Sequence, residues 1–210
     1  MLKNNLIMLS LLLVFSVAGL TSCGTKQAPP TDEERLQARS QVPCIVVLPV
    51  MADLKSDESM TYAQAAKLEK GSAFLDQTIA EAFVGVDNVR MLSQRQLTSL
   101  LPQDDAAQSA LFTRIGSELK CNAVLLTKLS RFEQRVGGEY GADSPASAAF
   151  SMKLFDTRDG SLIWSTMFDQ TQQSLLSNLM SAHQYGLKWL TVEELVNLGV
   201  AEKIKQCPYF

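Results

Sequence analysis

Apolar residues recur along the chain with two different periods, and together these periods predict a sheet covered by helices. Residues 44–50 are apolar at almost every position, which is typical of a strand that is buried on both faces. Residues 61–83 then place Leu68, Leu75 and Ile79 at helical spacing, and Gly71 marks a point where that helix could divide in two.

The second half of the chain changes to a period of two. Asp159-Gly160 is a typical hairpin turn, and the strand after it carries Leu162, Trp164 and Thr166 on the inward face. The other predicted elements are strands at residues 89–92, 121–136, 146–156 and 161–170, and helices at 93–101, 105–119 and from 191 to Pro208. This order predicts an α/β (α+β) fold: a mixed sheet of about five strands with helices packed on it. Early parallel β-α-β units are followed by an antiparallel meander.

The N-terminus has the features of a secretory signal. Lys3 precedes an apolar run at residues 6–19, and small residues follow at Leu20-Thr21-Ser22-Cys23. The last four residues resemble the bacterial lipobox, in which the cysteine is lipidated and becomes the first residue of the mature protein. The run of about 14 residues is shorter than the ~20 that a spanning helix needs, which disfavours a retained transmembrane anchor. We therefore predict a signal peptide at residues 1–22 and lipidation of Cys23.

The chain after Cys23 divides into a linker and a domain. Residues 23–41 contain Pro29-Pro30 and a charged run at 32–35 without apolar periodicity, so we predict a flexible linker. Residues 42–210 are predicted to form a single periplasmic domain. Gly24 occupies the position where many Gram-negative lipoproteins of the inner membrane carry aspartate. This resemblance implies anchoring by acyl chains at the periplasmic face of the outer membrane, with the inner membrane as the alternative.

Charge excludes two classes of partner. Without Lys3 the mature chain has 18 basic and 22 acidic residues, a formal charge of −4. A nucleic-acid surface would show a basic stripe, and the sequence has none. It also has no cluster of lysine and arginine with which to bind anionic lipid.

Candidate catalytic and metal-binding residues are few. His183 is the single histidine, and no nucleophile or acid lies at a spacing typical of a catalytic triad. Asp156 and Asp159 fit a hairpin turn better than a calcium loop, which needs more oxygen ligands and a distal glutamate. There is no Cys-x-x-Cys motif. We therefore expect a protein that is not an enzyme, with no catalytic residue, metal or cofactor.

Three cysteines follow Cys23, and an exported protein can form disulfides. Cys44 and Cys121 each open a predicted strand, so their sulfurs would meet if those strands were parallel neighbours. Cys207 is a competing partner, and three free buried thiols are the remaining alternative.

Three short motifs carry a family resemblance. They are Ile45-Val46-Val47-Leu48-Pro49, the strand at residues 122–127, and the hairpin at 154–165 that ends in Ile163-Trp164-Ser165. Together they resemble periplasmic lipoproteins of the curli-secretion-subunit kind. Relatives in that group include the lipoprotein activator of penicillin-binding proteins, the exopolysaccharide-export ring lipoprotein and the N-terminal domain of the Tol-system β-propeller protein. The resemblance spans residues 42–170 and implies a non-catalytic domain that assembles or regulates envelope machinery.

Three segments are predicted to contact an envelope protein partner: the loops at 51–61 and 137–145, and residues 172–190. Tyr140, Tyr185 and Trp189 are the candidate contact residues, since exposed aromatic side chains often anchor protein interfaces. The expected function is that of a non-enzymatic accessory, assembly or regulatory lipoprotein. Self-association into a ring of a secretion or polysaccharide-export system is the alternative, and an envelope hydrolase is the third hypothesis.

Overall fold

A mixed α/β architecture is observed in the computed structural model, which describes residues 29–54, 60–101, 108–172 and 188–210. In this part of the chain the helices are α1 (Asp32–Gln41), α2 (Tyr62–Ala82), α3 (Gln94–Leu100), α4 (Gln108–Leu119) and α5 (Val192–Gln206). The strands are β1 (Ile45–Val47), β2 (Met51–Ala52), β3 (Val89–Met91), β4 (Ala123–Glu133), β5 (Val136–Gly137), β6 (Ala142–Ser144), β7 (Ser147–Asp156) and β8 (Leu162–Thr171).

The main sheet confirms the predicted fold class. Its strand order is β3-β1-β4-β7-β8, and the short β2 also pairs with β4. Strand β1 runs parallel to β3 and β4, whereas β4, β7 and β8 form an antiparallel meander. Strands β5 and β6 pair only with each other, in a ribbon separate from the main sheet.

Helices cover both faces of the parallel part of the sheet. Ile45 and Val47 of β1 face a large core that also contains buried residues of α2 and α5, while Val46 and Leu48 face a smaller core with α3 and α4. Burial on both faces is why the β1 region is apolar at every position. Within the described residues, no helix is both long enough and apolar enough to cross a membrane.

Helix α2 is continuous, so the break that was expected at Gly71 does not occur. The helix begins with a capping box in which Thr61 and Gln64 bond each other's main-chain N–H groups. Gly71 packs against β4, where a Cβ would lie 2.5 Å from Cγ of Phe132. The glycine therefore allows close approach of helix and sheet rather than ending the helix.

The segment predicted to be a flexible linker is helical over Asp32–Gln41, which corrects that part of the prediction. Thr31 and Glu34 form a capping box, and the hydrogen bond from the Thr31 main-chain N–H lowers the pKa of the Glu34 carboxyl. Three acidic side chains in the first turn also interact favourably with the helix dipole. Capping and charge, rather than apolar periodicity, therefore define this helix.

Strand β8 departs from the predicted alternation at one point. Trp164 lies opposite Leu154 and Leu162 lies opposite Phe155, with an irregularity in register between these pairs. The extra residue, Ile163, moves Leu162 to the other face of the sheet, where it is 52% exposed. Trp164 is half-buried and packs against the main core.

A disulfide joins Cys44 and Cys121, whose Cα atoms are 4.7 Å apart. The two residues precede β1 and β4, which are parallel neighbours with Ile45 opposite Ala123. This is the pair expected if the strands that follow Cys44 and Cys121 are parallel neighbours. Cys207 is a buried free thiol.

Candidate functional site

Two of the three segments predicted to contact a partner meet at one surface. The main-chain N–H of Trp189 donates to the carbonyl oxygen of Glu139 at 2.8 Å, which links the segment before α5 to the β5–β6 turn. The guanidinium of Arg135 donates to the carbonyl oxygen of Trp189 at 2.6 Å. Residues 135–144 and 188–190 therefore form a single connected surface.

Gln134, at the end of β4, connects this surface to the start of α5. Its amide oxygen accepts from the main-chain N–H of Val192 at 3.0 Å, and its amide nitrogen donates to the carboxylate of Glu193 at 2.8 Å. The first N–H groups of a helix lack acceptors within the helix, and the Gln134 side chain provides an acceptor for one of them, the N–H of Val192. The helix start is thereby fixed relative to β4.

An exposed ion pair lies on the same surface. Lys188 Nζ is 2.8 Å from Glu194 Oε1 and 3.8 Å from Glu139 Oε1. The hydrogen bond from Lys188 lowers the pKa of the Glu194 carboxyl, and the same bond raises the pKa of Lys188. Because both side chains are substantially exposed, the ion pair adds little to stability.

A groove of about 600 Å³ lies beside this surface, between α2, the end of β4, the ribbon and the start of α5. We call it the ribbon groove; it is lined by Lys67, Lys70, Phe132, Glu133, Gln134, Arg135, Val136, Ser144, Pro145, Val192 and Glu193. Its apolar contribution comes from four of these residues: Phe132, Val136, Pro145 and Val192. Charged side chains of both signs also line the groove, including Lys67 and Glu133, which are paired at 2.8 Å. Apolar and charged side chains occur together in many protein interfaces.

Exposed apolar side chains accompany the groove. Tyr140 is 84% exposed and Val136 is 57% exposed. The turn that carries Tyr140 is closed by a 2.8 Å hydrogen bond from the Gly138 N–H to the Gly141 carbonyl oxygen. Trp189 is half-buried. Of the predicted contact residues, Tyr140 and Trp189 thus lie on segments that are bonded together.

Other residues singled out in the sequence lie outside the described residues: Cys23, Tyr185 and His183. Among the residues that the structure does describe, no group of three or more histidine, cysteine or acidic side chains could hold a metal ion.

Asp156 and Asp159 close the β7–β8 hairpin, in agreement with the turn interpretation. Asp156 accepts hydrogen bonds from the Arg158 guanidinium and main-chain N–H, and the guanidinium bond lowers the pKa of the Asp156 carboxyl. Asp159 accepts from the Ser161 N–H at 2.9 Å, which lowers the pKa of its own carboxyl. Both carboxylates are therefore engaged in turn formation.

The ribbon groove was not found from the sequence, because its residues come from four separate parts of the chain. One signal was available: the apolar positions Leu129 and Phe132 are three residues apart in a strand whose period is two. The register of β4 against β7 shifts between Leu129 and Arg131, and this bulge returns Phe132 to the core face. Bulges of this kind often re-aim side chains near functional surfaces.

Comparison with known proteins assigns no family. No family model matches the chain, and no curated protein matches it. Similar solved structures include the PelC dodecamer from Paraburkholderia phytofirmans, with 11% identity over 78% of this chain and 85% of that chain and a TM-score of 0.42. The LpoB C-terminal domain from Escherichia coli is 14% identical over 68% of this chain and 100% of that chain, with a TM-score of 0.34. Lipoprotein GNA1162 from Neisseria meningitidis is 17% identical over 68% of this chain and 94% of that chain, with a TM-score of 0.34. Similarity at this level assigns neither a family nor a function to this chain.

Proposed function

We propose that this chain is a lipoprotein anchored through Cys23 to the periplasmic face of the outer membrane. There it acts as a non-enzymatic accessory protein that binds an envelope protein. The lipobox-like motif at residues 20–23 supports the anchor. The Cys44–Cys121 disulfide supports export, because such bonds persist in oxidising compartments outside the cytoplasm.

The ribbon groove is the observation that carries the binding role. Its lining includes apolar side chains, and exposed Val136 and Tyr140 belong to the adjacent ribbon and its turn. Hydrogen bonds join Gln134 to Val192 at the start of α5 and Arg135 to Trp189 just before it. A surface that is already ordered loses little conformational entropy when a partner binds. Aromatic residues such as Tyr140 and Trp189 are the type that most often anchors such contacts.

The hydrogen bonds that lower carboxyl pKa values in this chain support a non-enzymatic role. Among the described residues, the lowered carboxyl pKa values of Glu34, Asp156 and Asp159 come from hydrogen bonds that begin a helix or close a turn. The pKa of Glu194 is lowered by the hydrogen bond from Lys188 and by the bond from the Thr191 N–H at the start of α5. Those bonds account for the shifts by local structure alone.

Site-specific photo-crosslinking in living cells tests the binding role. A photoreactive amino acid replaces Tyr140 in the full-length chain, and in a control chain it replaces Val84, an 80% exposed residue just beyond the C-terminal end of α2. We expect a discrete crosslinked product with one envelope protein from position 140 and none from position 84. Equal products from both positions, or none from position 140, would contradict the proposal.

The anchor has its own test. Metabolic labelling with a clickable fatty acid should modify the wild-type chain and leave Cys23→Ala unmodified, and the labelled protein should sediment with outer-membrane markers. Labelled protein in the inner-membrane fraction would contradict the proposed location, and an unlabelled wild-type chain would contradict the anchor itself.

Self-association is a second candidate that one observation favours. Strand β8 ends the sheet order, and its ten residues include no lysine or proline and a single charged side chain, Asp169, although charged residues and proline usually protect an edge strand from pairing. Light scattering of the full-length protein in detergent would show a mass above the monomer. Met167→Lys, at a 64% exposed position of β8, should then reduce that mass.

A further inference from the structure

Among the described residues, one side chain of helix α1 makes all of its hydrogen bonds to the rest of the domain. The guanidinium of Arg35 donates to the main-chain oxygens of Cys207 at 2.9 Å and Phe210 at 2.8 Å, and also to that of Lys205. Lys205 belongs to the last turn of α5, where carbonyl groups lack partners within the helix. Arg35 therefore joins α1 to α5 by capping the end of α5.

The C-terminal segment that accepts these hydrogen bonds from Arg35 is part of the core. Phe210 is 4% exposed, and its ring centroid lies 4.7 Å from that of Phe83 and 6.3 Å from that of Trp164. The side-chain amide of Asn88 donates to the carbonyl oxygen of Tyr209 at 3.0 Å. Arg35 thus forms hydrogen bonds with a segment that itself contacts the sheet and the end of α2.

Helix α1 has little else to hold it in place. None of its ten residues is buried, and Leu36 is 73% exposed. A groove of about 480 Å³ separates parts of α1 from Trp164 and Pro208, so the packing between them is incomplete. Helices shorter than about 12 residues are marginal alone in water, so α1 depends on its contact with the domain.

The position of α1 sets the length of the chain between the domain and Cys23. With α1 docked, the eight residues from Cys23 to Thr31 span at most about 29 Å, whatever their conformation. If α1 were released and unfolded, the 19 residues from Cys23 to Val42 would span up to about 68 Å. Release would therefore more than double the reach of the chain.

We propose that Arg35 is a releasable clamp that holds α1 against the end of α5 and keeps the domain close to the membrane. The statement about reach rests on the proposed lipid anchor, whereas the clamp itself does not. When the Arg35 contacts break, α1 can unfold and lengthen the chain segment between the domain and Cys23.

Hydrogen exchange measured by mass spectrometry on the full-length protein in lipid nanodiscs tests the clamp. Arg35→Ala should make the α1 amides exchange at least about tenfold faster, since each hydrogen bond from a charged group is worth roughly a tenfold change or more. Arg39→Ala is the matched control: it removes the same charge from the same helix, at a residue for which the structure describes no hydrogen bond or ion pair. Arg35→Lys keeps the charge but loses the fork of donors, so it should exchange at an intermediate rate. Wild-type exchange in both Arg35 variants would overturn the clamp.

Energy transfer from a dye at Val84→Cys to acceptors in the lipid headgroups tests the reach. Adding Arg35→Ala should lower the transfer efficiency, and adding Arg39→Ala should leave it unchanged. Faster α1 exchange with unchanged transfer would overturn the statement about reach and leave the clamp standing. A chain that fails to stay on the nanodisc in every variant would instead overturn the lipid anchor, while the exchange results would still decide the clamp.

Discussion

The ring of Phe132 in β4 lies directly against the main chain of Gly71 in α2, where a Cβ would come within 2.5 Å of the ring carbon Cγ. Alanine at a helix interior is usually better than glycine by up to about 1 kcal/mol. Overpacking a close contact of this kind costs about 1–3 kcal/mol. We therefore predict that Gly71→Ala lowers the free energy of unfolding by about 1–2 kcal/mol, measured by denaturant titration.

The cause can be separated from a general effect on the helix. Phe132→Leu removes part of the ring, so Gly71→Ala should cost less in the Phe132→Leu background than in the wild type. If the two substitutions were additive, steric conflict between these residues would not be the cause.

Gly71 also shows what periodicity leaves undecided. The spacing of Leu68, Leu75 and Ile79 predicted a helix at the correct place, but a glycine inside that pattern can mark either a break or a close contact with another element. Only the position of Phe132, 61 residues later in the chain, decides between these meanings. Helix α1 is the converse case: it has no apolar face, so a search for periodicity overlooks it, although Thr31 and Glu34 carried a capping signal.

Of the candidate site, the sequence predicted individual contact residues but not the groove. Tyr140 and Trp189 were identified because aromatic residues next to turns and helix starts are frequent contact residues. The ribbon groove beside them could not be found, since it needs Lys67, Phe132 and Val192 to meet in three dimensions. The strand bulge that positions Phe132 depends on register, which the sequence encodes only through an irregular spacing.

Removing the Cys44–Cys121 disulfide should destabilise the fold strongly. The bond closes a loop with a sequence separation of 77, and the chain-entropy model assigns such a loop about 4.5 kcal/mol. We predict that Cys44→Ala/Cys121→Ala lowers the free energy of unfolding by about 2–5 kcal/mol. Added reductant should lower the stability of the wild type in the same way and have no effect on the double variant. An unchanged wild type under verified reduction would show that the bond does not stabilise the protein.

Substitution of two buried threonines by valine should change the free energy of unfolding in opposite directions. Thr127 is 0% exposed, and among the described residues its hydroxyl has no hydrogen-bond partner. An unpaired buried hydroxyl costs about 1–3 kcal/mol, so Thr127→Val should raise the free energy of unfolding by about 1 kcal/mol. The hydroxyl of Thr157 donates to the carbonyl oxygen of Cys121 at 2.9 Å, so Thr157→Val should lower it by about 1 kcal/mol. A loss of stability in Thr127→Val would indicate that its hydroxyl is hydrogen-bonded in solution.

Burial of Cys207 should make the protein less stable at alkaline pH. The side chain is 0% exposed, and removal from water raises the pKa of its thiol from 9.0 to about 12. Above about pH 9 the unfolded chain loses this proton while the folded chain retains it, so rising pH lowers the free energy of the unfolded state relative to the folded one. The stabilising contribution is complete below about pH 9 and is lost progressively as pH rises towards about 12.

Denaturant titrations at pH 8, 9, 10 and 11 measure this dependence. The wild type should lose up to about 1.4 kcal/mol per pH unit more than Cys207→Ala does over the upper part of that range. Burial also raises the pKa of Tyr209, so Cys207→Ala should retain a smaller slope that Tyr209→Phe reduces further. Mass spectrometry at each pH would verify that the Cys44–Cys121 bond is intact. Parallel pH slopes for the wild type and Cys207→Ala would show that the thiol ionises as readily in the folded chain as in the unfolded one, which a fully buried thiol should not do.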